Sequence, residues 1–247
     1  MLELPDGLRA CLFDLDGVLT QTAKIHAQAW KEMFDGFLRD WAERTGESFR
    51  PFDRPTDYDE YVDGKPRLDG VASFLRSRSI ELPMGSPFDP PDAQTIHGLG
   101  TRKNELVLEL IRTQGVEPYE GSVRFVEQAR DEGLRRAVVS SSTNCQEVLV
   151  AAGIDDLFEA RIDGVVAERE GLAGKPAPDT FLEGARVLGV EPAQAAVFED
   201  ALAGVEAGRA GNFGWVIGVD RSGQSEALRR RGADVVVQDL AQLLERR

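Results

Sequence analysis

Five short apolar runs, at residues 10–13, 137–139, 195–198, 215–219 and 234–237, punctuate a chain that otherwise reads as longer amphipathic stretches. Each run is rich in Ala, Val, Ile and Phe with no polar alternation. That is the pattern of a strand covered on both faces, as in a parallel sheet. Between the runs lie helix patterns. In residues 179–188, Phe181, Leu182, Ala185 and Leu188 fall at i, i+1, i+4 and i+7, and Gly189 follows as a stop. Strands alternating with helices specify a doubly wound, Rossmann-like α/β core with a parallel sheet.

Residues 24–115 depart from this rhythm. Helical stretches dominate there (26–42 and 102–113), and no strand pattern is present. Between them, residues 46–66 are rich in Pro, Asp and aromatics, and residues 82–92 carry Pro83, Pro87, Pro90 and Pro91, so both read as loops. The expected organisation is a core domain formed by 1–23 and 116–247, with a helical cap domain, 24–115, inserted directly after the first strand.

Composition narrows the ligand class. The 247 residues carry a formal net charge of −14, which argues against nucleic acid, since duplex binding rests on cations that neutralise phosphates. No stretch approaches the roughly 18 apolar residues of a membrane span, and the first residues lack a basic start followed by an apolar run. Cys11 and Cys145, the two cysteines, have no metal-type spacing and read as reduced, packed thiols. The expectation is a cytoplasmic monomer acting on a small molecule.

In open α/β sheets, ligands sit beyond the carboxyl ends of the strands. The first strand ends in Asp14-Leu15-Asp16-Gly17 and the second in Ser140-Ser141-Ser142-Thr143-Asn144. Gly174-Lys175-Pro176 precedes a helix, and the strand near 195 ends in Glu199-Asp200. Four carboxylates in one pocket repel one another, and hard, oxygen-preferring Mg²⁺ is the usual remedy, held by carboxylates and phosphate oxygens. A lysine and a hydroxyl then grip a phosphoryl group, while Gly17 lets backbone N–H groups come close. Asp14 is placed to attack phosphorus, and Asp16, two residues on, to give and take a proton.

With these four elements in this order, the chain resembles the haloacid dehalogenase superfamily. DLDGVLTQTAKIHAQAW, SSSTN, GKPAPD and FEDALAG resemble its β-phosphoglucomutases more closely. The resemblance covers nearly the whole chain and implies Asp14 as nucleophile and Asp16 as general acid/base. It implies Mg²⁺ held by the carboxylates of Asp14, Glu199 and Asp200 with the Asp16 main-chain carbonyl. It further implies Ser140 and Lys175 on the transferring phosphate, with Gly17 and Ser141 beside them. His26 matches a hinge histidine, Arg67 a distal-phosphate arginine and Lys103 a sugar-facing lysine. Ser142 and Asn144 match contacts to the second phosphate or the sugar. Thr143 departs from a family lysine and Gln21 from a family acid, and the segments 46–66 and 82–92 are additions.

The activity this implies is conversion of β-D-glucose 1-phosphate to glucose 6-phosphate through an aspartyl-phosphate and a glucose 1,6-bisphosphate intermediate. Two other outcomes stay open: an Mg²⁺-dependent sugar-phosphate phosphatase, and a phosphosugar-binding protein without turnover. Trp30 and Phe34 are expected in the core of the helical segment and His97 in a structural role. Asp53, Asp57, Asp59, Glu60 and Asp63 read as a solvated loop.

Overall fold

The computed structural model describes residues 2–54 and 56–244, which divide into two compact units. The first comprises Met1–Thr22, Gly64–Pro66 and Val116–Arg247; the second comprises Ala23–Asp63 and Arg67–Gly115.

Among its described residues the first unit is built on six parallel strands: β1 (Ala10–Phe13), β2 (Arg135–Val139), β3 (Ala160–Ile162), β4 (Ala195–Glu199), β5 (Trp215–Val219) and β6 (Val235–Val237). Their order is β3-β2-β1-β4-β5-β6. β1 pairs with β2 on one side and β4 on the other, so the chain reverses its winding between β1 and β4. All of β1 and β4 is buried, as their uninterrupted apolar runs require. β3 was not among the expected strands. Its three residues, Ala-Arg-Ile, are too short and mixed to stand out, and only pairing with β2 defines them.

Among its described residues this unit carries the α-helices Glu120–Asp131, Cys145–Ala152, Gly164–Glu170, Asp179–Leu188, Leu202–Ala210 and Ser225–Arg231. Helix Asp179–Leu188 ends, as expected, at Gly189, which takes the left-handed conformation (φ +68°). Its buried face is Phe181, Gly184, Ala185 and Leu188 with Thr180, whereas Leu182 points outward. Gly184 explains the shift: a Cβ there would lie 3.2 Å from Val139 and 3.3 Å from Leu12, so the helix packs close to the sheet along that line.

The second unit contains α1 (Ala23–Thr45), α2 (Arg67–Ser77) and α3 (Ile96–Gln114), with a single π-type turn at Tyr58–Val62. No strand occurs among its described residues. Trp30, Phe34, Phe37, Phe52 and Phe74 form an aromatic core, with Phe34 stacked on Trp30 at 5.3 Å and tilted against Phe74 at 4.1 Å. Trp30 and Phe34 therefore take the core positions expected of them.

The two loop segments are tied down. Phe52 N–H donates to Asp35 (2.8 Å) and Lys31 to the Phe52 carbonyl (2.9 Å), which carries the ring into the core. Asp57 is buried against Arg78 (2.6 Å) rather than solvated, a correction to the reading of that acidic run. In the second segment, Asp89 accepts from the Thr95 hydroxyl (2.7 Å), and Thr95 caps α3 by accepting from Gly98 N–H (2.9 Å). Ile96 and His97 N–H groups donate to the Pro83 and Met84 carbonyls (3.0 and 3.1 Å). This proline-rich segment thus anchors the start of α3.

Candidate active site

At the carboxyl end of the sheet, β1 and β4 place Asp14 and Glu199 side by side. Asp14 N–H extends the ladder by donating to the Phe198 carbonyl (2.9 Å). Lys175 Nζ bridges the two carboxylates, 2.5 Å from each, and donates to the Val139 carbonyl at 3.0 Å. Its ammonium lies over the Phe181 ring at 4.9 Å. All three side chains are buried, with Lys175 at 2 % and Glu199 at 0 % exposure. Burial alone would depress the ammonium pKa, but the charges of Asp14 and Glu199 overcome it and hold Lys175 protonated well above its ordinary value.

Asp200 completes the cluster. One oxygen from each of Asp14, Glu199 and Asp200 lies within 4.8 Å of the others. Glycines make this approach possible. A Cβ on Gly17 (φ +90°) would meet Asp200 Oδ2 at 1.8 Å, and one on Gly204 would meet Glu199 Oε1 at 1.8 Å. Gly17 N–H donates to the Thr20 carbonyl (2.8 Å), so this residue serves the site through its absent side chain rather than its own N–H.

Three carboxylates thus gather around a single buried ammonium. Burial and the Asp14 charge push the Glu199 carboxyl up to about 7 despite the opposing Lys175. A small divalent cation fits this set: the donors are all hard oxygens, and octahedral coordination at about 2.0–2.1 Å spans distances of this order. A buried acidic cluster able to bind a metal is therefore present.

The acid/base candidate Asp16 lies half-buried on the loop after β1. Thr22 hydroxyl donates to its Oδ1, and Thr20 hydroxyl lies 2.7 Å from that of Thr22. This threonine pair was not singled out in the sequence; its signal was the run VLTQT directly after DLDG. The serine run forms a chain of turns. Ser142 N–H donates to Ser140 Oγ (3.1 Å) and Asn144 N–H to Ser142 Oγ (3.1 Å), with Ser140 buried after β2. Ser141 hydroxyl donates to the Gly64 carbonyl (2.8 Å).

In the helical unit, α1, α2 and α3 bring His26, Arg67, Lys103 and Asn104 into one neighbourhood. Lys103 Nζ lies 2.8 Å from His26 Nδ1 and 4.8 Å from the centre of the Trp30 ring. An ammonium can only donate, so Nδ1 accepts and the ring proton sits on Nε2. Burial, then the charges of Lys103 and Arg67, hold the His26 pKa well below its ordinary value, keeping the ring neutral. Arg67 Nη1 donates to Asn104 Oδ1 at 2.6 Å. Asn104 was missed in the sequence, although it adjoins Lys103. His97, half-buried beside the 82–92 segment, donates its backbone N–H to Met84.

Comparison with known proteins agrees with this geometry. A family model for haloacid dehalogenase-like hydrolases matches residues 8–212. The chain is 58% identical to a Mycobacterium tuberculosis (strain CDC 1551) protein named beta-phosphoglucomutase, over 99% of this chain and 94% of that one. It is 38% identical to an uncharacterized glycosyl hydrolase of the same strain, matching 94% of this chain but 17% of that longer protein. Among solved structures, the beta-phosphoglucomutase of Clostridium difficile superposes with a TM-score of 0.72 at 26% identity, covering 96% of this chain and 93% of that one. The chain belongs to the haloacid dehalogenase-like hydrolase family, on its β-phosphoglucomutase-like branch.

Proposed function

We propose that the protein is a β-phosphoglucomutase, converting β-D-glucose 1-phosphate to glucose 6-phosphate with Mg²⁺ as its cofactor. The observation that carries this reading is the buried Asp14–Lys175–Glu199 cluster closed by Asp200, in a chain 58% identical to a protein of that name. The carboxylates of Asp14, Glu199 and Asp200 and the Asp16 carbonyl would hold Mg²⁺, which when bound neutralises phosphoryl oxygens and lowers their repulsion toward the attacking carboxylate.

In the cycle, phosphorylated Asp14 meets β-glucose 1-phosphate. The sugar O6 attacks phosphorus, Asp16 takes the O6 proton, and the bond from phosphorus to Asp14 breaks, giving glucose 1,6-bisphosphate. With the bisphosphate reversed, Asp14 attacks the phosphorus on O1. The P–O1 bond breaks and Asp16 returns the proton to O1, releasing glucose 6-phosphate and restoring phosphorylated Asp14. Thr22, bonded to one Asp16 oxygen, orients the carboxylate for these transfers. Lys175 and the Ser140 hydroxyl grip the transferring phosphoryl group, with Gly17 and Ser141 alongside. By the family resemblance, Arg67 would take the distal phosphate, Lys103 and His26 would face the sugar, and Ser142 and Asn144 would contact the substrate.

The family model is that of a hydrolase, which favours a second reading in which water takes the phosphoryl group from Asp14. One assay separates the two. Purified protein is given β-glucose 1-phosphate, Mg²⁺ and a trace of glucose 1,6-bisphosphate, and glucose 6-phosphate and free phosphate are followed in parallel. The mutase gives glucose 6-phosphate with little free phosphate; free phosphate as the main product would replace it with the phosphatase.

A further inference from the structure

A second layer of contacts behind the carboxylate cluster comes from the end of β5. Asp220 follows this strand, and its carboxylate gathers the next loop around itself. Oδ1 accepts from the N–H groups of Ser222 (3.2 Å), Gly223 (2.6 Å) and Gln224 (2.8 Å), and Oδ2 accepts from Ser225 N–H (3.0 Å) and hydroxyl. Five donors on one buried carboxylate make residues 220–225 a rigid platform.

Two side chains reach from this platform to the site. Arg221 Nε donates to the Gly17 carbonyl at 2.9 Å, while its Nη1 donates to the Gln238 carbonyl at 2.6 Å. Its guanidinium lies over the Tyr119 ring, 3.6 Å from the centroid, which fixes its orientation. Gln224 Nε2 donates to the Asp200 carbonyl at 3.1 Å. Gly17 and Asp200 are the two residues whose close approach closes the cluster, since a single Cβ on Gly17 would fill the gap between them. One loop therefore grips the main chain of both.

We propose that Arg221 and Gln224 are positioning residues that set the spacing between the Asp14–Gly17 loop and Asp200, and through it the cluster's affinity for its divalent cation. Neither residue touches the reacting atoms; each acts through a backbone carbonyl. The inference rests on the reading of Asp14, Glu199 and Asp200 as the Mg²⁺ ligands. Outer partners of metal ligands typically govern about 10–100-fold in metal affinity.

The test is calorimetric titration of Mg²⁺ into full-length wild type, Arg221→Met, Arg221→Lys and Gln224→Met, with thermal unfolding of each recorded in EDTA. Arg221→Met and Gln224→Met are expected to weaken Mg²⁺ binding roughly tenfold each. The Mg²⁺ concentration for half-maximal turnover should rise by the same factor, a loss that saturating Mg²⁺ makes good. Arg221→Lys retains one donor toward Gly17 and should fall between wild type and Arg221→Met. Gln224→Met keeps the proposal testable should Arg221→Met fail to fold. Mg²⁺ affinity within twofold of wild type in the folded variants, whatever their melting temperatures, overturns the positioning role alone. A wild-type protein that takes up no Mg²⁺ overturns the metal assignment together with it.

Discussion

Replacing Lys175 by Met tests the electrostatics of the site without any substrate. The ammonium contacts Asp14 and Glu199 at 2.5 Å each, and all three residues are buried. Removing one partner of a buried ion pair leaves uncompensated charge and costs about 3–5 kcal/mol. Here the loss has an outlet, because the Glu199 carboxyl already stands near 7 and rises further once the opposing ammonium is gone. A carboxyl whose folded pKa lies above its unfolded value contributes stability at low pH and loses it as pH rises through the folded pKa. The cost of Lys175→Met should therefore grow from pH 5 to pH 8, reaching about 3–5 kcal/mol at the upper end. At about 2–4 °C per kcal/mol for a chain of this size, the melting point falls by roughly 6–20 °C. Urea unfolding in EDTA, followed by circular dichroism across this pH range, measures the effect. Adding Glu199→Gln to Lys175→Met removes one stranded charge and should recover part of the loss. A Lys175→Met protein within about 1 kcal/mol of wild type at pH 8 would refute the reasoning.

Single contacts elsewhere carry their own expectations. Gly17→Ala forces a Cβ into Asp200 Oδ2 and a non-glycine residue into φ +90°. It should cost about 1–2 kcal/mol in urea unfolding and weaken Mg²⁺ binding measured by calorimetry; unchanged Mg²⁺ affinity would contradict the close approach. His26 has a folded pKa well below 6.5, so the stability linked to its neutral ring is complete above pH 6.5 and declines below it, at up to about 1.4 kcal/mol per pH unit. His26→Gln should flatten the acid side of the stability profile relative to wild type, and parallel profiles would contradict a buried neutral ring. Cys11, whose thiol burial pushes up to about 12, and Cys145, also raised by burial, should resist thiol reagents at about pH 8 until the protein unfolds. Rapid labelling of the native protein would be the contrary result.

The core of the site was legible because its residues stand at strand ends. DLDG after residues 10–13 and the Glu199-Asp200 pair announce themselves through the cost of placing carboxylates beside buried apolar runs. Lys175 was marked by its position before a helix, but its bridging of Asp14 and Glu199 depends on sheet order, which joins β1 to β4 across most of the chain. β3 escaped notice because its short, mixed run carries no pattern of its own. Asp57 was misread because its partner, Arg78, is distant in sequence and only packing buries the pair. The β5 loop carries the same kind of signal, because the run at 215–219 leads directly into Asp220-Arg221, two charged residues at a strand end. The use of Arg221 and Gln224, on the carbonyls of Gly17 and Asp200, is a matter of backbone geometry that side-chain patterns do not encode.

Asp14 is the residue proposed to carry the phosphoryl group. The direct measurement is mass spectrometry of rapidly quenched protein after brief exposure to glucose 1,6-bisphosphate and Mg²⁺, compared with Asp14→Asn treated in the same way. One phosphoryl group on the peptide containing Asp14, absent in the variant along with turnover, is the predicted result. A phosphoryl group on another residue, or sustained turnover by Asp14→Asn, would contradict it.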